Sequence, residues 1–434
     1  MRLRAGNWVV PSVLGAVVGV LLTLLVVWQW PETPDDGLEQ GPLVIVTGAD
    51  DSAGKWRHTL RDIWNAEHPD NQVKFVELQQ AADGQRSQMV AQAGANPDID
   101  VYNLDVTLIA EFAERSYITP LDQSRLPAGF LAGFLRKPLE TCHYGDDGDT
   151  LWALPLNTDA GLLFYRNDLV PEPPKVWDNV IGTARQNPAP PATAGYVGQL
   201  GDYEGLTVNA LEAVWAEGGE VVVNNKVVAT QDSLSRGIGR LMAGNVENRG
   251  ITHPGARSFD EATSREAFAR GEALFMRNWP VQYSALLNKD TADLSRPQRV
   301  PFKVAALPGS AYRVPGPSAL GGQNLAVASG SKRKRAAQAF IEFMTQESSQ
   351  LLLARYGGFA PTRKAPYNDE AVRAQYPYIT ALEDAVEHAK LRPVTPHYAH
   401  FSATFRRIVH QTMDDGGKVP PDYVEVLTRA MGGR

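Results

Sequence analysis

Cysteine is almost absent. Cys142 is the only one in 434 residues, which excludes an intrachain disulfide and a zinc site built on thiolates. A lone cysteine of this kind reads as a small, half-buried packing residue. The short signatures of common chemistries are missing too. No G-x-x-x-x-G-K-[ST], H-E-x-x-H, G-x-S-x-G or C-x-x-C occurs, so phosphate loops, zincins and hydrolase elbows have no support. Positive charge is in deficit: 42 Lys and Arg face 49 Asp and Glu, a formal net charge of -7. A nucleic-acid binder needs the opposite balance. The basic run at 332–335 (KRKR) opens a helix and reads as a solvated face. Neither an internal repeat nor a long low-complexity tract is present. Glycoside hydrolysis stays open in principle, because it requires only two carboxylates at a suitable separation.

What is there describes a folded protein, with 43% hydrophobic and 21% charged residues. The length exceeds one ordinary domain, so two lobes are expected. Residues 8–30 (WVVPSVLGAVVGVLLTLLVVWQW) carry no charge and are long enough to span a bilayer. Arg2 and Arg4 precede them, while Glu32, Asp35, Asp36 and Glu39 follow. That asymmetry places residues 1–7 in the cytoplasm and the body outside. The apolar stretch ends in Trp28-Gln29-Trp30-Pro31 without a small-residue cleavage pattern, so it reads as an uncleaved anchor; an atypical cleaved signal is the alternative. Residues 31–42, rich in Pro, Gly and acid, read as a tether.

From residue 43 the pattern alternates. Apolar runs at 43–46, 73–78 and 99–104 read as strands, and the segments at 55–67, 85–93 and 106–115 between and after them as helices. This order argues for βαβ units and a parallel sheet. Further strands are expected at 161–166, 220–223, 302–307 and 324–328, with Asn224-Asn225 turning a hairpin and Gly321-Gly322 breaking the chain ahead of the last strand. The stretch 271–287 (GEALFMRNWPVQYSALL) is the most concentrated signal. Residues 272–276 read as a buried strand, Arg277-Asn278-Trp279-Pro280 then breaks it, and 281–287 resumes as a helix. Trp279 stands at that junction, either as a plug between lobes or as a flat face for a ligand.

Several stretches together carry a family resemblance. DVTLI around Asp105, LWALPLNTDAGLLFYRNDL at 151–169, YEGLTVN at 203–209, EALFMRNWPVQY at 272–283, SALGGQNLAV at 318–327, GGFAPTR at 357–363 and RPVTPHY at 392–398 occur in one order. The chain from 43 to 434 resembles the extracellular solute-binding proteins of bacterial ABC sugar importers, in particular the trehalose/maltose-type branch. The resemblance implies an α/β fold of two lobes, periplasmic-binding-protein-like (type II), joined by a hinge with several crossovers. Lobe one would comprise 43–155 plus 318–346, and lobe two 156–317 plus 347–434. It implies a sugar held between the lobes, hinge closure around it, delivery to an ABC permease, a monomeric body, no cofactor or metal, and no catalysis.

By position, the resemblance points to Asp105, Asn157 and Asp159 for sugar hydroxyls, with Tyr203 and Glu204 beside them. Trp279 and Tyr283 would supply ring faces, Gly321 and Gly322 close approach, and Arg86 and Arg392 charge-assisted bonds. Charged partners and ring faces suit the hydroxyls and C–H faces of a sugar. For Asp105 and Asp159 the alternative is a helix cap or a hinge ion pair; for Arg392 and Glu204 it is a structural ion pair. Two positions depart from the family: Gln323 and Leu108 stand where Trp is common. Their loss removes stacking area from the first lobe, which would shift the ligand from a typical disaccharide or weaken its binding. It also leaves room for an anchored ligand sensor uncoupled from transport.

Overall fold

Two large sheets and a two-stranded hairpin form among the described residues. The computed structural model describes residues 37–434 except 51, 79–81, 94–95, 146–149, 188–193, 243–250, 288–299 and 312–314. The expected anchor at 8–30 lies outside the described residues. Among the described residues no helix is long and apolar enough to cross a membrane. Met1–Glu39 and Gln40–Arg434 form separate units, and both sheets belong to the second.

The strands in chain order are β1 (Leu43–Gly48), β2 (Val73–Leu78), β3 (Val101–Asp105), β4 (Ala153–Ala160), β5 (Leu162–Tyr165), β6 (Ala194–Val197), β7 (Val222–Val223), β8 (Lys226–Val227), β9 (Ala273–Asn278), β10 (Lys303–Ala306) and β11 (Leu320–Val327). The first lobe is built on the sheet β2-β1-β3-β11-β4 and the second on β10-β5-β9-β6. β1 to β3 run parallel, as βαβ units require. The expectation of a parallel sheet holds only that far. β11 is antiparallel to both β3 and β4, because it enters the first sheet from the second lobe and not through a crossover helix of its own. The second sheet is mixed as well, with β6 parallel to β9 and β5 antiparallel to both β9 and β10.

The expected break at Gly321-Gly322 is also corrected, since β11 runs through both glycines with a bulge between Gln323 and Asn324. Gly322 has φ +119, and a side chain there would meet the Asn157 carbonyl oxygen at 2.2 Å. Glycine is therefore what lets β11 lie this close to β4. The hairpin at Asn224-Asn225 forms as expected, with φ 48 and 59 at the two residues.

Between the lobes three strands of chain run side by side. Ala160 to Leu162 links β4 to β5, and Ser318-Ala319 leads into β11. Lys390 pairs with that second link, donating its N–H to the Ser318 carbonyl at 2.8 Å and accepting from Leu320 N–H at 2.9 Å. Helix Glu204–Ala216 lies against this hinge and is buried on every side. Its two interior carboxylates, Glu204 and Glu212, therefore need partners.

Candidate functional site

Strand register alone assembles half the expected site. Gln323 on β11 sits opposite Asp105 at the end of β3 and opposite Asn157 on β4, and Gly321 sits opposite Asp159. The row lies at the C-terminal end of the parallel strand β3, where open α/β sheets bind ligands. Within it Asn157 Nδ2 donates to Asp159 at 3.2 Å and Asn103 Nδ2 donates to Gln323 Oε1 at 3.2 Å.

Trp279 arrives from the other lobe. A side chain on Gly321 would meet the Trp279 ring at 3.2 Å and Asp159 at 3.1 Å, so glycine here is what admits the ring. The ring is fixed on two further sides. Its indole N–H donates to Glu261 Oε1 at 3.3 Å, and the Arg277 guanidinium lies 3.8 Å from the ring centroid. Glu261 also accepts from the Tyr203 hydroxyl at 2.8 Å. Asp260 caps helix Glu261–Ala269 in a reciprocal box with Thr263, which sets Glu261 in the first turn.

Arg277, expected in the break after the strand, is instead inside β9 and 2% exposed. It forms a bidentate pair with Glu212 at 2.8 and 2.7 Å. Glu212 Oε1 accepts in addition from Ala319 N–H at 3.0 Å in the hinge. One buried carboxylate therefore holds both the crossing strand and the cation beneath the Trp279 ring.

Arg392 closes the site from the C-terminal side. It is buried and donates to Asp105 at 2.9 Å and to Glu204 at 2.7 Å. Glu204 also accepts from the Tyr398 hydroxyl at 2.5 Å and the Ser402 hydroxyl at 2.6 Å. The ion-pair alternative for Arg392 and Glu204 is thus realised. Burial raises the Glu204 carboxyl, although Arg392, Ser402 and Tyr398 work against the rise. Burial opposes the charge on Arg392, but Asp105, Tyr398 and Glu204 outweigh it and the guanidinium is pushed up. Asp105 accepts from the Thr107 N–H and hydroxyl, so it serves the ion pair and the turn after β3 together.

Two expected residues are engaged elsewhere. Arg86 makes a bidentate pair with the buried Glu111, at 2.6 and 2.5 Å. Tyr283 packs with Phe302, Tyr376 and Tyr378, at centroid distances of 5.5, 5.9 and 4.7 Å. Leu108 is 7% exposed and belongs to the core of the first lobe. Sequence reasoning missed Glu212, Glu261 and the placement of Arg277. The capping box around Asp260 and the all-buried helix around Glu212 were the available signals. Among the described residues no group of three His, Cys, Asp or Glu converges as a metal would require.

Asp159 is the group most altered by its setting. Burial pushes its carboxyl up from 3.8 to about 7, moderated by the charge of Arg277 and the Asn157 bond and reinforced by Asp105. A carboxyl whose folded value lies above its unfolded one favours folding only while it is protonated. That contribution is complete below about pH 4 and is lost as pH climbs through about 7. Asp159→Asn is therefore expected to raise the Tm of the ligand-free protein at about pH 8, with the gain shrinking toward about pH 5. A gain independent of pH would assign the effect to something other than this carboxyl.

Comparison with known proteins decides the family. The model of the bacterial extracellular solute-binding proteins matches residues 49–351. The chain belongs to that family. It is 29% identical over 395 residues to a probable ABC transporter-binding protein of Deinococcus radiodurans, covering 86% of this chain and 90% of that one. Maltose-bound T. maritima MalE3 superposes with a TM-score of 0.79 at 26% identity, covering 90% of this solute-binding protein and 99% of that chain. The GacH receptor of Streptomyces glaucescens shares the fold, with a TM-score of 0.73, 22% identity and 90% and 97% coverage.

Proposed function

We propose that this solute-binding protein captures a di- or oligosaccharide between its lobes and hands it to an ABC permease, without turnover. The observation that carries the reading is the row Asp105–Gln323–Asn157, with Asp159 beside it, facing the Trp279 ring across Gly321. Carboxylates and amides along one edge and a fixed ring on the other suit the hydroxyl rim and C–H face of a pyranose. The maltose-bound relative and the ABC transporter-binding relative support the same choice. The proposal keeps 8–30 as a membrane anchor, while the first crossing expected at 155/156 moves to the 160–162 link, because β4 pairs in the first sheet as far as Ala160. Asp105, Asn157, Asp159, Gln323 and Trp279 would touch the ligand. Arg392, Glu204, Tyr203 and the two glycines would shape the site, with Arg86 and Tyr283 outside its first contacts.

Thermal denaturation of residues 40–434 with a panel of mono- and disaccharides tests the reading. A ligand at about 100 times its Kd stabilises by about 2.7 kcal/mol, a Tm rise of several degrees. A flat response to every carbohydrate would remove sugar capture as the function.

A further inference from the structure

We propose that Trp56 and Tyr356 form a second stacking subsite, which takes a further pyranose ring of an oligosaccharide whose first ring lies on Trp279. The proposal rests on the reading of the interlobe site as a sugar site. Trp56 and Tyr356 stack with centroids 4.6 Å apart and planes 18° apart. Tyr356 is 49% exposed, and among the described residues it is the single aromatic in a set of exposed large hydrophobic side chains otherwise made of Val and Leu. Trp56 covers one face of the ring, and about half of the residue's surface remains in solvent. An open ring backed by a second ring is a poor way to build a core and a suitable platform for a sugar face.

Its position ties it to the interlobe site. Trp56 follows the loop that leaves β1, which pairs with β3 in the same parallel set that presents Asp105. Tyr356 precedes Gly357, where a side chain would meet Ser52 and Trp56 at 3.3 Å. At Gly358, with φ +70, a side chain would meet the Ser284 hydroxyl of helix Val281–Leu287 at 2.3 Å, so the two segments lie close together. That helix begins two residues after Trp279, so this turn joins the loop after β1 to the element that carries the first ring platform.

The backbone that carries Trp56 is also held in place. Trp56 N–H donates to Ser52 Oγ at 2.8 Å, and Lys55 ahead of it adopts a left-handed backbone with φ 55. Arg57 behind it donates to Thr47 Oγ1 at 2.8 Å and to the Gly48 carbonyl at 3.0 Å. A ring fixed in this way binds with little ordering loss. A subsite here also replaces the stacking area that Leu108 and Gln323 do not provide, and it extends the site in length. A bound oligosaccharide of three or more units would gain contacts that a disaccharide does not reach.

Calorimetric titration of the full chain with maltose, maltotriose and maltotetraose tests this, comparing wild type, Tyr356→Ala and Tyr356→Phe. The expected result is tighter binding of the longer sugars by wild type. In Tyr356→Ala that advantage falls about tenfold, with maltose affinity unchanged within about twofold, and Tyr356→Phe retains it. Equal loss at every length, or no gain on lengthening the sugar, overturns the subsite while leaving sugar capture standing. Absence of binding for all three by wild type overturns the subsite for this sugar class, and the broader thermal panel then decides whether sugar capture falls with it.

Discussion

Glu212→Gln is expected to destabilise the protein by about 3–5 kcal/mol, with a fall in Tm of about 5 °C. The substitution changes almost no volume, so the loss is electrostatic. Arg277 and Glu212 are 2% and 6% exposed in their side chains, and their bidentate contact is the reason a guanidinium can sit inside β9. An amide would still accept from Ala319 N–H but would leave the buried cation uncompensated. Gly161 sharpens the constraint, since a side chain there would meet the Glu212 carboxylate at 2.5 Å and Arg277 at 2.6 Å. The hinge is closely packed around the pair and offers neither group an escape to water. The double variant Glu212→Gln with Arg277→Met should recover part of the loss, because the unpaired charge goes with it. Urea denaturation of the single and double variants measures both effects. A single-variant loss below about 1 kcal/mol would mean that water reaches the pair.

The elements that the sequence announced are those whose signal is local. Apolar runs located β2 and β5 almost to the residue, Pro280 placed the end of β9 close to where it lies, and helix Val281–Leu287 formed over the expected span. Strand direction is not a local property. β11 looks like any other apolar run, and only its arrival from the second lobe makes it antiparallel to β3 and β4. The same limit governed the site. Asp105, the Asn157/Asp159 pair on β4 and Gln323 come from three distant parts of the chain, and the register of three strands brings them into a row.

Charged residues inside buried elements were the least legible. Arg277 reads as the polar end of a strand until Glu212 is set beside it, and Glu212 reads as an ordinary helix carboxylate until that helix proves buried all round. Trp56 reads as a core-facing helix residue at the apolar spacing of Leu60 and Trp64. Leu60 and Trp64 are indeed buried, whereas Trp56 is half-buried and spends one face on Tyr356. Periodicity assigns a side of a helix. It says nothing of the first turn, where the chain has only just left a loop.

Trp279→Ala is expected to weaken sugar binding about 100-fold while lowering stability by only about 1–2 kcal/mol. The asymmetry follows from how the ring is held. Trp279 is half-buried, with its N–H on Glu261 and one face over Arg277, so only part of its surface contributes to the core. Arg277 keeps its Glu212 partner when the ring is removed, and Glu261 keeps the Tyr203 hydroxyl. No buried charge is therefore stranded, in contrast to Glu212→Gln. The ligand loses its whole stacking face, and neither Leu108 nor Tyr283 can substitute, because both are packed elsewhere. Trp279→Phe separates the two contributions, keeping an aromatic face but giving up the bond to Glu261, and its affinity should fall between wild type and Ala. Paired measurements of Kd and Tm decide the matter. If Ala costs more than about 3 kcal/mol of stability and leaves the affinity of the remaining folded protein nearly unchanged, Trp279 is a plug between the lobes and the stacking face must be sought elsewhere.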